Sequence, residues 1–420
     1  MKLHVKKFFI LSFLIITVLF TNLNIVYAAD NDADAPEISS GTAVLIDNKT
    51  NRVLYDKNAN ERMFPASTTK IMTAILVLEN CDLDETVTAS YDALMSIPEG
   101  YVTAEIQGEE QFTVEQLLEM LLVHSANDAA NVLAEYVGGS IESFISMMNT
   151  KVNELGLTNT HFTNPYGLQE DNHYTTAYDL AEIMQYCIQN DDFRRIAGSV
   201  SCSIPATNKS GVRSYTSTNQ LILPDSPNYY SYVTVGKTGF TTEAGRCLVS
   251  CAYRNDIELT CVILGGTLSP DGISSRFTDS ITLYEYGFNH FSLKNIANPG
   301  DIITAIEVPN ATPSTKSLDL AFVDSIYALV NNSDLDTNYI PEIYLNSDIS
   351  APIAEGDVLG KAIYTIDGIS YEADIVATHT VENSQLLQFI LQIGGLFIAF
   401  LITFVIFFSN KKKKKDLSNI

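Results

Sequence analysis

The sequence PASTTK at residues 65–70 runs directly into the apolar stretch IMTAILVL at residues 71–78. A proline near the start and a long run without glycine predict a helix that begins at about Ser67. Residues 71–78 are apolar on nearly every face of such a helix. We therefore expect a buried helix at the centre of its domain, with the other elements packed around it.

Ser67 and Lys70 are three positions apart, so the hydroxyl and the amine lie on the same side of this helix. The N-terminus of a helix favours negative charge that develops there, and an apolar interior lowers the pKa of a lysine. A neutral Lys70 amine could then take the proton from Ser67 and make it a nucleophile. The plainer interpretation is a serine that caps the helix and a lysine whose amine reaches water.

The two ends of the chain predict export and membrane attachment. Residues 1–28 begin with several lysines, continue with an apolar run and end at Ala28, a small residue suited to cleavage, which is typical of a signal peptide. The alternative is an uncleaved N-terminal anchor. Residues 386–408 are 23 positions without charge, and five lysines follow at 411–415. At about 1.5 Å per residue this run spans about 35 Å, so we expect a transmembrane helix with residues 409–420 in the cytoplasm. The alternative is an interfacial amphipathic helix.

Charge and cysteine usage narrow the possible partners. The net charge of −25 argues against a nucleic-acid or anionic-lipid partner for the exported part. The even number of cysteines, six, permits disulfides, but we expect Cys247, Cys251 and Cys261 to pack as small buried hydrophobic residues. No Cys-x-x-Cys pair occurs and the six histidines do not cluster, so we expect no metal and no cofactor.

The pattern along the chain predicts an α+β fold, an antiparallel sheet flanked by helices with a helical subdomain. A β-hairpin is expected near residues 43–55. Strands recur near 232–264, where the last two are expected to form a hairpin with its turn at 254–256, and the helical periods lie between these two regions and again at 275–288. After about residue 289, short alternating runs punctuated by glycine and proline predict a small all-β domain. The expected domain bounds are 38–288 and 295–382.

Two further clusters accompany Ser67 and Lys70. Ser125 and Asn127 flank a turn that is predicted to open a helix, so a hydroxyl and an amide could both face a cleft. Lys237, Thr238 and Gly239 follow a predicted strand and offer a positive charge, a hydroxyl for a carboxylate and close backbone approach. Each cluster alone is common by chance. All three in this order are typical of penicillin-binding proteins and class A β-lactamases.

Longer stretches resemble one family within that group, the serine D-alanyl-D-alanine carboxypeptidases, which are low-molecular-mass penicillin-binding proteins of the bacterial cell wall. These stretches are SANDAA at 125–130, FTNPYGL at 162–168, HYTTAYDL at 173–180 and GKTGFTTEAG at 236–245. The resemblance covers roughly residues 39–288, and a β domain with a C-terminal membrane anchor is similar to the rest of that family. It implies a β-lactamase/transpeptidase-like fold.

The resemblance also implies an activity, the removal of the terminal D-alanine from peptidoglycan stem peptides, with β-lactam antibiotics as acylating inhibitors. Ser67 would attack the carbonyl between the last two D-alanines with Lys70 as base, and Ser125 would relay a proton to the leaving amine. Substrate binding would fall to Asn127, Lys237, Thr238, Gly239 and, as an added charge on the terminal carboxylate, Arg276; a surface salt bridge is the other interpretation of Arg276. The expected oxyanion hole is the Ser67 N–H and one near Thr241.

Two other functions remain open on the sequence. Class A β-lactamases resemble one another in a glutamate four residues before an asparagine, and none of the glutamates between the second and third clusters has that partner. We therefore expect a long-lived penicilloyl adduct. The second alternative is a non-catalytic, membrane-tethered wall-binding protein. The histidines His124, His161 and His173 are expected to pack or to hold loops.

Overall fold

A computed structural model describes residues 35–95, 97 and 100–417. The predicted signal peptide at residues 1–28 lies outside these residues. The chain divides after Phe288 into two compact units, each with a hydrophobic core of its own.

An antiparallel sheet of five strands is the framework of the first unit. The strands of this unit are, in chain order, β1 (Thr42–Asp47), β2 (Val53–Lys57), β3 (Thr86–Thr88), β4 (Gln111–Thr113), β5 (Ser201–Ile204), β6 (Arg213–Thr216), β7 (Val233–Thr241), β8 (Gly245–Arg254) and β9 (Ile257–Gly266). The sheet has the order β2-β1-β9-β8-β7, and β3-β4 and β5-β6 form separate pairs. Strand β7 therefore lies at an edge of the sheet. The predicted β1-β2 and β8-β9 hairpins are confirmed.

Helices cover the sheet and form the predicted helical middle of this unit. They are α1 (Lys70–Asn80), α2 (Tyr91–Met95), α3 (Val114–Glu119), α4 (Asn127–Gly138), α5 (Ile141–Glu154), α6 (Ala177–Cys187), α7 (Asp191–Ala197) and α8 (Ser275–His290). A capping box of Thr113 and Gln116 starts α3, which continues as a π-helical turn over Met120–His124. Because this wider turn ends on Ser125 in the left-handed conformation (φ 72°), the chain changes direction there before α4 begins.

Helix α1 is the predicted central helix. Every residue from Lys70 to Val77 is buried. The predicted start at Ser67 differs in one respect, since Ala66–Thr69 is a 3₁₀ turn that leads into α1. The cause is local, because both the backbone N–H and the hydroxyl of Thr68 donate to the Pro65 carbonyl, at 3.3 and 2.7 Å, which tightens the turn.

The second unit is all-β apart from its last helix and a short 3₁₀ turn at Asn332–Asp334. Its strands are β10 (Phe291–Ala297), β11 (Ile302–Glu307), β12 (Ser317–Phe322), β13 (Ile326–Asn331), β14 (Glu342–Leu345), β15 (Val358–Ile366) and β16 (Ile369–Ala377). They form a sheet of order β11-β12-β16-β15-β14 and the pair β10-β13. Helix α9 (Gln385–Leu417) contains Gln388–Phe408, which is long and apolar enough to be a candidate membrane span.

All six cysteines are free thiols. Cys247, Cys251 and Cys261 are fully buried in the sheet, so their predicted role as small packed residues is confirmed. Burial raises the pKa of the Cys251 thiol to about 12, which keeps it protonated and unreactive at neutral pH.

Candidate active site

The 3₁₀ turn and the first residue of α1 bring Ser67 and Lys70 together. The Lys70 side chain is completely buried, and its Nζ lies 2.9 Å from Ser67 Oγ. Two more oxygens surround the same amine, Asn127 Oδ1 at 2.6 Å and the Tyr166 carbonyl at 2.9 Å. The predicted neighbours Ser67, Lys70 and Asn127 thus meet at one nitrogen atom.

These contacts suit a neutral amine. Its two N–H groups can donate to Asn127 Oδ1 and to the Tyr166 carbonyl, which leaves the lone pair to accept the O–H of Ser67. Burial and, after it, the positive charge of Lys237 lower the pKa of Lys70 well below its ordinary value, against a smaller opposing effect of Asp128. The arrangement therefore favours the neutral amine, which can remove the proton of Ser67.

A second serine–lysine pair faces the first. Lys237 Nζ, on β7, donates to Ser125 Oγ at 2.8 Å and to the Thr238 carbonyl at 2.9 Å. The Lys237 side chain is buried, and desolvation followed by the charge of Arg276 lowers its pKa to about 7. The structure places this amine on Ser125, whereas the sequence interpretation placed it on a substrate carboxylate. Near pH 7 such a pair can exchange a proton with a neighbouring group.

Strand β7 supplies one wall of the site. The sequence predicted that Lys237, Thr238 and Gly239 end a strand, but β7 continues through them to Thr241, since Gly236–Thr241 pairs with β8. Thr238 Oγ1 lies 2.5 Å from the hydroxyl of Thr218, a loop residue that no pattern in the sequence marks as part of the site. Arg276, in the first turn of α8, donates from Nη1 to the Gly239 carbonyl at 3.0 Å. Arg276 thus lies against the stretch of β7 that carries Thr238 and Gly239.

Two glycines enclose the backbone that carries Ser67. A Cβ on Gly239 would lie 3.0 Å from Ser67 N and 3.0 Å from the Pro65 carbonyl. On Gly167, which has φ +90°, a Cβ would lie 1.8 Å from the Ala66 carbonyl. Only glycine permits this approach, and Ala66 itself has φ 49°. The close packing brings the Tyr166 carbonyl to Lys70.

Asn164 and His173 hold the segment that carries Gly167. Asn164 Oδ1 accepts from the N–H groups of Gly167 and Leu168 at 2.7 and 2.9 Å. His173 Nδ1 accepts from the Thr163 N–H at 3.0 Å, so Nε2 carries the proton and donates to Thr69 Oγ1 at 2.8 Å. Burial lowers the pKa of His173 to about 3, which keeps the ring neutral. His173 holds a loop, as predicted.

The other two histidines have packing contacts as well. His161 Nδ1 lies 2.7 Å from the Asn172 carbonyl. His124 stacks on Tyr215 with ring centroids 4.2 Å apart, and burial lowers its pKa. Tyr166 is buried, whereas Phe240 on β7 is 57% exposed.

The start of α4 is anchored by a residue that sequence reasoning missed. The buried carboxylate of Asp128 accepts from the N–H of Ala104 at 2.9 Å and from that of Ile106 at 3.0 Å. The neighbouring Asn127 donates its own N–H to the Val102 carbonyl at 2.9 Å. These hydrogen bonds fix segment 102–106 against the start of α4, which carries Asn127 and through it binds Lys70. The sequence signal that could have identified Asp128 is its position as an acidic residue in the first turn of a predicted helix.

Comparisons with known proteins agree with this geometry. A family model described as "D-alanyl-D-alanine carboxypeptidase" matches residues 29–267, and one described as "Penicillin-binding protein 5, C-terminal domain" matches residues 291–383. The D-alanyl-D-alanine carboxypeptidase DacF of Bacillus subtilis (strain 168) is 30% identical over 361 residues, covering 84% of this chain and 89% of the relative.

Two groups of solved structures are similar as well. Penicillin binding protein 5 from Haemophilus influenzae has a TM-score of 0.65 at 27% identity, over 83% of this chain and 99% of that one. The DD-transpeptidase of Streptomyces K15, solved as an S96A mutant, has a TM-score of 0.56 at 31% identity, over 61% of this chain and 100% of that one.

Proposed function

The chain belongs to the D-alanyl-D-alanine carboxypeptidase family of serine hydrolases, and we propose that its acyl-enzyme forms on Ser67. The substrate would be a peptidoglycan stem peptide that ends in D-Ala-D-Ala. The observation that carries this proposal is the Lys70 amine, buried and bound to two carbonyl oxygens, with its remaining position directed at Ser67 Oγ.

In the first step Ser67 Oγ attacks the carbonyl between the two D-alanines while Lys70 takes the hydroxyl proton. The oxyanion forms between the 3₁₀ turn that leads into α1 and the end of β7, and we place the Ser67 N–H and a backbone N–H near Thr241 as its donors. The C–N bond then breaks, and the leaving amine takes a proton from Ser125, which Lys237 replaces. D-alanine leaves, and the proton that Lys70 took from Ser67 replaces the one that Lys237 gave. Lys70 can then take a proton from water as the water attacks the ester carbonyl, and it returns that proton to Ser67 Oγ when the C–O bond breaks and the shortened peptide leaves.

Binding of the peptide falls to the groups along β7 and the start of α4. Thr238 and Arg276, which donates to the carbonyl of the next residue, Gly239, would hold the terminal carboxylate. Asn127 would have two roles. Its Oδ1 holds Lys70, and its amide nitrogen could donate to a carbonyl of the peptide and so orient it. Because Lys237 is bound to Ser125, we assign it to proton transfer and not to binding of the carboxylate.

Mass spectrometry after treatment with penicillin tests the reaction. The intact protein is expected to gain the mass of one penicillin, peptide mapping is expected to locate it on Ser67, and the adduct is expected to persist. A glutamate placed for fast hydrolysis is missing from the sequence pattern, and Glu170 is bound to Asn164 Nδ2 at 3.1 Å. Rapid turnover of penicillin would instead support a β-lactamase, and an adduct elsewhere would refute the role of Ser67.

A parallel assay separates catalysis from wall binding. A peptide that ends in D-Ala-D-Ala is expected to release free D-alanine in the presence of the protein. Binding to isolated cell wall without any release of D-alanine would support the non-catalytic alternative.

We also infer that α9 crosses the cell membrane once, with the catalytic unit outside and residues 411–415 in the cytoplasm. The support is the apolar run Gln388–Phe408 and the five lysines on its C-terminal side. Ending the chain at residue 383 is expected to move the protein from the membrane fraction to the soluble fraction, with unchanged activity on a soluble peptide. Release of the full-length chain by alkaline carbonate would argue instead for a helix that lies on the surface.

A further inference from the structure

An arginine with no assigned role lies beside the proposed carboxylate site. Arg246, on β8, pairs across the sheet with Phe240 on β7, and its guanidinium lies 5.1 Å from the centre of the Phe240 ring. Both Arg246 and Arg276 are on the face of the sheet that α8 covers, since a Cβ on Gly266 would lie 3.0 Å from Ser275 Oγ and 3.4 Å from Arg246 Cβ. The ring thus holds a second guanidinium near the first.

These two cations lack a counterion. Neither Arg246 nor Arg276 forms an ion pair with a residue that the structure describes, and the first turn of α8 contains no acidic residue. The Arg276 Nε atom is buried without a hydrogen-bond partner. By contrast, Arg194 and Arg213 each lie 2.6 Å from a glutamate oxygen. Unpaired guanidinium groups on a chain with a net charge of −25 indicate a site for an external anion.

The two charges also act on each other. Burial and, after it, repulsion from the charge of Arg246 lower the pKa of Arg276 to about 10. An anion between them would remove this repulsion. Since Arg276 is bound to the Gly239 carbonyl beside Thr238, the place for such an anion is next to the proposed position of the substrate carboxylate.

We propose that Arg246, held by Phe240, is a specificity-determining residue that selects peptides with a free C-terminal carboxylate. This inference rests on the proposed carboxypeptidase function. The acidic chain as a whole repels an anionic peptide, and Arg246 offsets that repulsion where the peptide ends. Because Arg246 is partly exposed, its attraction should act mainly on capture of the substrate and should weaken as salt is added.

The test compares two versions of one N-acylated peptide that ends in D-Ala-D-Ala, one with a free carboxylate and one with a C-terminal amide. Arg246→Gln is expected to lower kcat/KM for the free peptide about fivefold to tenfold at low salt, through KM, and to leave the amide unaffected. Arg246→Lys should recover most of the loss. At high salt the difference between Arg246→Gln and the wild type should shrink.

Arg254→Gln is the matched control. Arg254 lies on the same strand and face, with its guanidinium 5.1 Å from the ring centre of Tyr232, but it is at the other end of β8 and is bound to Glu285. It should not change the ratio between the two peptides.

Three results would overturn the role of Arg246: equal losses on both peptides, no loss, or an unchanged dependence of kcat/KM on salt. If the amide is cleaved too slowly to measure, the salt dependence of kcat/KM for the free peptide, compared between Arg246→Gln and the wild type, decides the question by itself. If the wild type cleaves neither peptide, releasing no D-alanine from the free peptide and no D-alaninamide from the amide, the proposed function fails instead.

Discussion

Replacing Lys70 with methionine is expected to slow acylation of Ser67 by penicillin on the order of 10³-fold. Methionine is similar in length and apolar, so it can fill the buried space, but it offers no lone pair to the Ser67 hydroxyl. Rapid-quench or fluorescence measurement of labelling by a fluorescent penicillin gives the rate. Labelling at the wild-type rate would show that the base lies elsewhere.

Lys70→Arg is the informative companion. Arginine keeps a positive charge and can still donate to Asn127 Oδ1 and the Tyr166 carbonyl, yet its guanidinium stays protonated. It should therefore be as slow as Lys70→Met if the neutral amine is the base, and active if a fixed positive charge suffices. In the wild type, acylation should rise with pH through the pKa of Lys70 and then level off. Because burial and Lys237 lower that pKa, the rise should occur well below pH 10.

The part of the site that the sequence predicted is the part set by local geometry. Ser67 and Lys70 share one helical turn, so their spacing alone indicated that hydroxyl and amine would meet. The pairing of Lys237 with Ser125 joins residues 112 positions apart, and no periodicity encodes it. The Tyr166 carbonyl is a backbone atom, so the residue type at that position says nothing of its contact with Lys70.

In the fold, too, the elements set by local sequence were predicted and those that depend on distant contacts were not. The buried helix α1 and the hairpin β8-β9 follow from hydrophobic runs and a turn, and both are confirmed. The extension of β7 through Lys237 and Gly239 depends on pairing with β8, which a pattern within one strand does not contain. Likewise the unpaired state of Arg246 and Arg276 depends on which carboxylates fold beside them.

Gly167→Ala is expected to have the largest effect of any substitution away from the reacting groups. The new Cβ would lie 1.8 Å from the Ala66 carbonyl, far inside contact distance, and φ +90° is itself unfavourable for alanine. The backbone that carries Ser67 must then shift. We expect the free energy of unfolding to fall by about 3 kcal/mol or more and acylation to slow on the order of 10²-fold. Urea unfolding and the rate of penicillin labelling measure the two effects.

Gly156→Ala separates the steric from the conformational cause. Gly156 also has a positive φ, +73°, but nothing lies within 4 Å of the position that its Cβ would take. That variant should lose only about 1 kcal/mol and acylate at the wild-type rate. If the two variants behave alike, the positive φ accounts for the whole effect and the close packing of Gly167 on Ala66 does not position Ser67. If Gly167→Ala is slow but as stable as Gly156→Ala, the contact acts on the nucleophile alone.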